Sequence, residues 1–162
     1  MSEDAPPLAD EPLVRRHTDA VRAAARLAKV AGSALGDAEL TLPQYRVLVF
    51  LDGGPRPATE VATLIGVTPS TVTSMVDGLT ARNLVLRTPD SEDRRRVMLS
   101  LTEQGRASLA RGDDVVAERL EIILGYADPV DAERALDGLE ILKLAMDLAL
   151  ADHLVVSADP TP

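Results

Sequence analysis

Apolar residues recur along most of the chain at three- or four-residue steps, the period of a helix with one buried face. From Glu11 to Leu35 they fall at Leu13, Ala20, Ala24, Leu27, Ala31 and Leu35, with His17 on the same side. Pro12 suits a first turn and Gly36 a helix end. A second helix is predicted from Thr41, as N-cap, to Asp52, with Leu42, Tyr45, Leu48, Val49 and Leu51 apolar and Gly53-Gly54-Pro55 as its stop. A short third helix covers 58–65, with Val61, Leu64 and Ile65 inward. Thr68 then reads as an N-cap with Pro69 at the first helical position, opening a fourth helix to about Arg82. Its inward face is Val72, Met75, Val76 and Leu79; its outward face is Ser70, Thr73, Ser74 and Asp77, with Thr71 at the boundary.

After Asn83 the period drops to two. Leu84 and Leu86 alternate with Val85 and Arg87, and Val97, Leu99 and Leu101 alternate with Arg96, Met98 and Ser100. The polar stretch 88–95 between them makes a hairpin with a long tip. Thr102 caps a fifth helix through Leu109, Val116, Leu120 and Leu124, weakened locally by Gly105 and Gly112. After a break at 125–129, a sixth helix runs from about Val130 to Leu154. Its apolar stripe (Leu136, Leu139, Leu142, Met146, Leu150, Leu154) is widened by Ile141, Leu144 and Leu148, more than one covered face requires. The expected fold class is mainly α with a small β-wing.

The order short helix, tight turn, helix, hairpin is a helix-turn-helix followed by a wing. Ala62 leaves room for the crossing, Gly66 permits a left-handed corner, and Val67 and Val72 fill the space between the helices. Arg94, Arg95 and Arg96 at the tip are placed to meet a phosphate or a minor groove, and Asp93 can orient one of them.

Composition narrows the alternatives. The chain has no cysteine and two histidines, His17 and His153, which removes thiolate metal sites, thiol nucleophiles and disulfide switching. It has no Gly-rich phosphate loop and no histidine pair at metal-ligand spacing, so neither an enzyme nor a metal site nor a cofactor is expected. No run of about 18 apolar residues occurs and the N-terminus is acidic, so a cytoplasmic protein without membrane contact is expected. The net charge of −9 speaks against nucleic acid, but its distribution does not. Residues 41–106 hold eight arginines against seven acids, while the flanks are strongly acidic.

The run Asp93-x-Arg95-x5-Leu101-Thr102-x2-Gly105 resembles the wing signature of the MarR family of winged-helix transcription regulators. Residues 66–73 are similar to that family's start of the recognition helix, and the helix order agrees over roughly residues 11–154. The resemblance implies a homodimer built from the first and last two helices, a palindromic double-stranded DNA operator, and often a small organic effector. It further implies a repressor rather than an activator. The division that follows is a tail at 1–10, a dimerisation helix at 11–36, a DNA-binding lobe at 37–101, dimerisation helices at 102–154 and a tail at 155–162. DNA contacts are expected from Thr68, Ser70, Thr71, Thr73, Ser74 and Asp77 on the recognition helix and from Asp93, Arg94, Arg95 and Arg96 on the wing. His17, Tyr45 and Arg46 are the effector candidates. Many relatives carry an arginine near the positions of Ser74 and Gly78; hydroxyls there lack its bidentate grip on guanine. The competing class is a winged-helix protein-interaction module that binds no DNA.

Overall fold

The computed structural model describes residues 11–90, 93 and 96–158, with the backbone alone for 11–12 and 151–158. The tail at 1–10 lies outside these residues. The elements in order are α1 (Glu11–Ala34), a 3-10 turn (Leu35–Ala38), α2 (Leu42–Asp52), β1 (Arg56–Pro57), α3 (Ala58–Ile65), α4 (Pro69–Ala81), β2 (Val85–Pro89), β3 (Val97–Leu101), α5 (Glu103–Leu124) and α6 (Pro129–Ala158).

The core sits where α2, α3, α4 and the sheet meet. Leu48, Val61, Val72, Val76, Leu79 and Leu99 are buried together there. α5 closes this core against α1, the 3-10 turn and α2. Gly112 lets α5 approach: a Cβ on it would sit 3.0 Å from the Tyr45 ring and 3.3 Å from Leu35.

Three local expectations are corrected. The first helix does not close on Gly36. It tightens into the 3-10 turn, and Glu39 takes the left-handed conformation (φ 55°), with Leu40 N–H donating to the Leu35 carbonyl at 3.0 Å. Leu35 and Leu40 are both buried across this corner, and that apolar contact places the reversal. The sheet has a third strand that no alternation announced: Arg56–Pro57 pairs antiparallel with β3, Arg56 opposite Leu99, giving the order β1-β3-β2. Two residues are too few for a period, and Pro57 is tolerated because its strand is at the edge. The last helix continues past Leu154 to Ala158. The tail expected at 155–162 therefore begins inside α6, and 159–162 lie outside the described residues.

The hairpin also shifts phase. Asn83 turns the chain with φ 55° and delivers Leu84 to the core before the strand begins. Val85 is then buried and Leu86 is 51 % exposed, so Val85 rather than Leu86 supplies the inward side chain of the strand.

Candidate nucleic-acid interface

The turn between α3 and α4 is built as the spacing predicts. Gly66 has φ 70°, Ala62 is buried, and Val67 packs partly buried against the core. Thr68 caps α4: its Oγ1 accepts from Thr71 N–H at 3.3 Å and lies 2.9 Å from Ser70 Oγ and 2.8 Å from Thr71 Oγ1. Three hydroxyls thus cluster at the first turn of α4, where unpaired backbone N–H groups and the helix dipole favour an anion. Thr73 spends its hydrogen on the Pro69 carbonyl at 3.0 Å and keeps acceptor capacity outward. Thr68, Ser70, Thr71, Thr73, Ser74 and Asp77 are all exposed, so the whole predicted outward face of α4 is accessible.

The hairpin stands beside this face. Its ladder runs from Val85 opposite Leu101 to Pro89 opposite Val97. At the tip, Asp90 N–H donates to the Arg96 carbonyl at 3.0 Å and Arg96 N–H to the Asp93 carbonyl at 2.8 Å. Asp93 and Arg96 are exposed; Arg94 and Arg95 lie outside the described residues.

Two links between helix and wing were missed in the sequence. Arg87 Nη1 pairs with Asp77 Oδ1 at 2.7 Å, and its Nη2 donates to the Thr73 carbonyl at 3.2 Å. Asp77 therefore faces β2 as well as solvent. The signal available was a lone acid on the polar face of α4 and a lone arginine on β2; their pairing depends on the phase of the strand. At the other end, Arg82 Nη1 donates to the Glu39 carbonyl at 2.7 Å and ties α4 to the corner after α1.

The Leu101-Thr102-x2-Gly105 run has a structural reason. Thr102 Oγ1 accepts from Gly105 N–H at 2.9 Å, capping α5, and donates to the Asn83 carbonyl at 2.6 Å. A Cβ on Gly105 would lie 2.0 Å from the Leu84 carbonyl oxygen. These residues fasten the base of the wing to the end of α4.

The three effector candidates have different surroundings. Tyr45 is half-buried, and its hydroxyl donates to Asp113 Oδ1 at 2.6 Å. Burial, then that hydrogen bond and the carboxylate charge hold its phenol well above its ordinary range, so it stays neutral. Arg46 is exposed and reaches the Leu64 carbonyl at 3.5 Å, the outer limit of a hydrogen bond. His17, expected on the inner side of the first helix, is exposed on α1 in a shallow groove with Val14, Thr18, Val21 and Arg22. Within one chain no hydrogen bond between described residues joins the three.

Residues 38–96 match the sequence profile of the MarR family. The chain is similar to the HTH-type transcriptional repressor MdtR of Bacillus subtilis, 35 % identical over 100 residues, covering 62 % of this chain and 63 % of MdtR. It therefore spans just under two thirds of that repressor's length. It is also similar to the HTH-type transcriptional regulator YfiV of Bacillus subtilis, 30 % identical over 116 residues, covering 68 % of this chain and 70 % of YfiV. Among solved structures, the transcriptional repressor CouR bound to a 23-mer DNA duplex superposes with a TM-score of 0.63 at 35 % identity, covering 78 % of this chain and 89 % of CouR. The helix-turn-helix, the wing signature on its hairpin and these likenesses converge: the chain belongs to the MarR family of winged helix-turn-helix transcriptional regulators.

Proposed function

We propose that this protein is a cytoplasmic, non-enzymatic, sequence-specific DNA-binding regulator. It acts as a homodimer on a palindromic operator and represses until a small organic effector releases it. The observation that carries the reading is the accessible hydroxyl face of α4 standing beside the wing, both fixed to one core. α4 enters a major groove, with Ser70, Thr71, Thr73 and Ser74 toward bases and phosphates and the Thr68 turn at the backbone. The wing, with Asp93, Arg94, Arg95 and Arg96, reaches the neighbouring minor groove or its phosphates. The DNA-bound form of CouR supports this arrangement by likeness. The dimer is supported by α6, where Ile141, Leu144 and Leu148 are 61–69 % exposed within one chain. Among the described residues, no helix is long and apolar enough to cross a membrane.

The test is binding to DNA upstream of the protein's own gene, across a salt series and against unrelated competitor DNA, for the wild type and Arg95→Ala. The reading expects competitor-resistant binding by the wild type. Arg95→Ala should weaken it more than Arg94→Ala, because Arg95 is the arginine that matches the family's wing signature. If Arg95 meets only a phosphate, the salt slope drops by about one on every sequence. Equal affinity for operator and competitor, or no binding at all, moves the assignment to a protein-interaction module.

A further inference from the structure

Between α4 and the wing sheet lies a small cleft of about 170 Å³, walled by Val72, Thr73 and Val76 on α4, Ala58 on α3, and Val97 and Leu99 on β3. Side-chain packing does not close the gap at this level. What crosses it is Arg87, which also lines the cleft: from β2 its guanidinium holds both the Asp77 carboxylate (2.7 Å) and the Thr73 carbonyl (3.2 Å). A planar guanidinium with two directed donors fixes orientation as well as distance. We propose that Asp77–Arg87 is a strut setting the spacing between recognition helix and wing, and that Asp77 is a positioning residue rather than a groove contact. The proposal rests on the DNA-binding reading above.

The geometry makes the sign of the effect informative. Asp77 is an exposed negative charge on the face assigned to DNA. If it were only that, neutralising it would tighten binding to every duplex by lessening phosphate repulsion. As a strut, its loss lets the two reading elements move relative to each other. A specific site needs both in register, whereas non-specific binding needs only charge. Operator affinity then falls while affinity for unrelated DNA stays level or rises.

The experiment uses the full chain with Asp77→Asn, Arg87→Ala and the double variant, measured on operator and on unrelated duplex. Asp77→Asn is expected to weaken operator binding roughly three- to fivefold, the scale of a partly exposed ion pair. The double variant should lose no more than Arg87→Ala alone, because both substitutions remove one connection. Operator affinity that rises with Asp77→Asn, or losses that add in the double variant, overturns the strut. A second measurement needs no DNA. The chain has no cysteine, so Thr80→Cys on α4 and Thr88→Cys on β2 give unique spin-label sites. Their distance distribution, recorded with labelled chain diluted into unlabelled, should broaden when Asp77→Asn is added. An unchanged width overturns the strut whether or not the protein binds DNA. Failure of the wild type on both duplexes, with the broadening present, counts against the DNA-binding reading alone.

Discussion

At Gly105 one methyl group decides whether α5 can start where it does. The Leu84 carbonyl lies 2.0 Å from where a Cβ would be, and a backbone oxygen has no rotamer by which to yield. Gly105→Ala is therefore expected to cost about 3 kcal/mol, against the usual helix-interior gain of alanine over glycine. One turn along the same helix, the Ser108 hydroxyl is fully buried and finds no hydrogen-bond partner among the described residues. Ser108→Ala removes a desolvated polar group and raises helix propensity, so stability should rise by up to about 1 kcal/mol. Urea midpoints at one fixed protein concentration measure both. A loss at 105 no larger than a surface change would mean that α5 shifts freely, and a loss at 108 would mean that the hydroxyl is bonded.

At the scale of elements, the wing is a hairpin fastened at its base and along one edge. The base fastening is Thr102, which serves α5 as a cap and Asn83 as a donor at once. Thr102→Ala should cost about 1 kcal/mol, the loss of the cap on α5, since the exposed Asn83 carbonyl can turn to water. Thr102→Ser keeps the hydroxyl and should recover most of that. Chemical denaturation of the pair checks this, and equal loss in both would assign the effect to the threonine methyl. The same sites show why this part of the chain was legible. Thr68-Pro69 and Thr102 are caps whose hydrogen bonds lie within three residues, so local chemistry specifies them. β1 was not legible, because its pairing with β3 joins residues about forty positions apart and two residues carry no pattern.

For the whole molecule, the proposed dimer draws on the apolar surface that α6 exposes within one chain. Leu142 is 50 % exposed within one chain. On a monomer, Leu142→Asp would be a near-neutral surface change. In a dimer it buries an unpaired charge, and both association and folding should fail together. Light scattering at micromolar concentration should show twice the 17.2 kDa chain mass for the wild type, and a monomeric wild type would refute the dimer. A two-fold dimer presents paired α4 helices, so its operator half-sites should lie about 10 base pairs apart.

The amino-acid sequence alone determined the presence of the helices, the Thr41, Thr68 and Thr102 caps, the left-handed Gly66 corner and the hairpin, because each rests on periodicity or on hydrogen bonds between near neighbours. It also placed the accessible face of α4, since one buried stripe dictates what lies opposite. Tertiary structure decided the rest. The Asn83 turn moved β2 by one residue and exposed Leu86. Burial of Leu35 against Leu40 moved the end of α1 beyond Gly36. The register of β2 beside α4 brought Arg87 to Asp77, ten positions away in sequence and on another element. A one-residue change of strand phase exchanges every side chain between the two faces, so no local pattern could settle that contact before the sheet was packed against the helix.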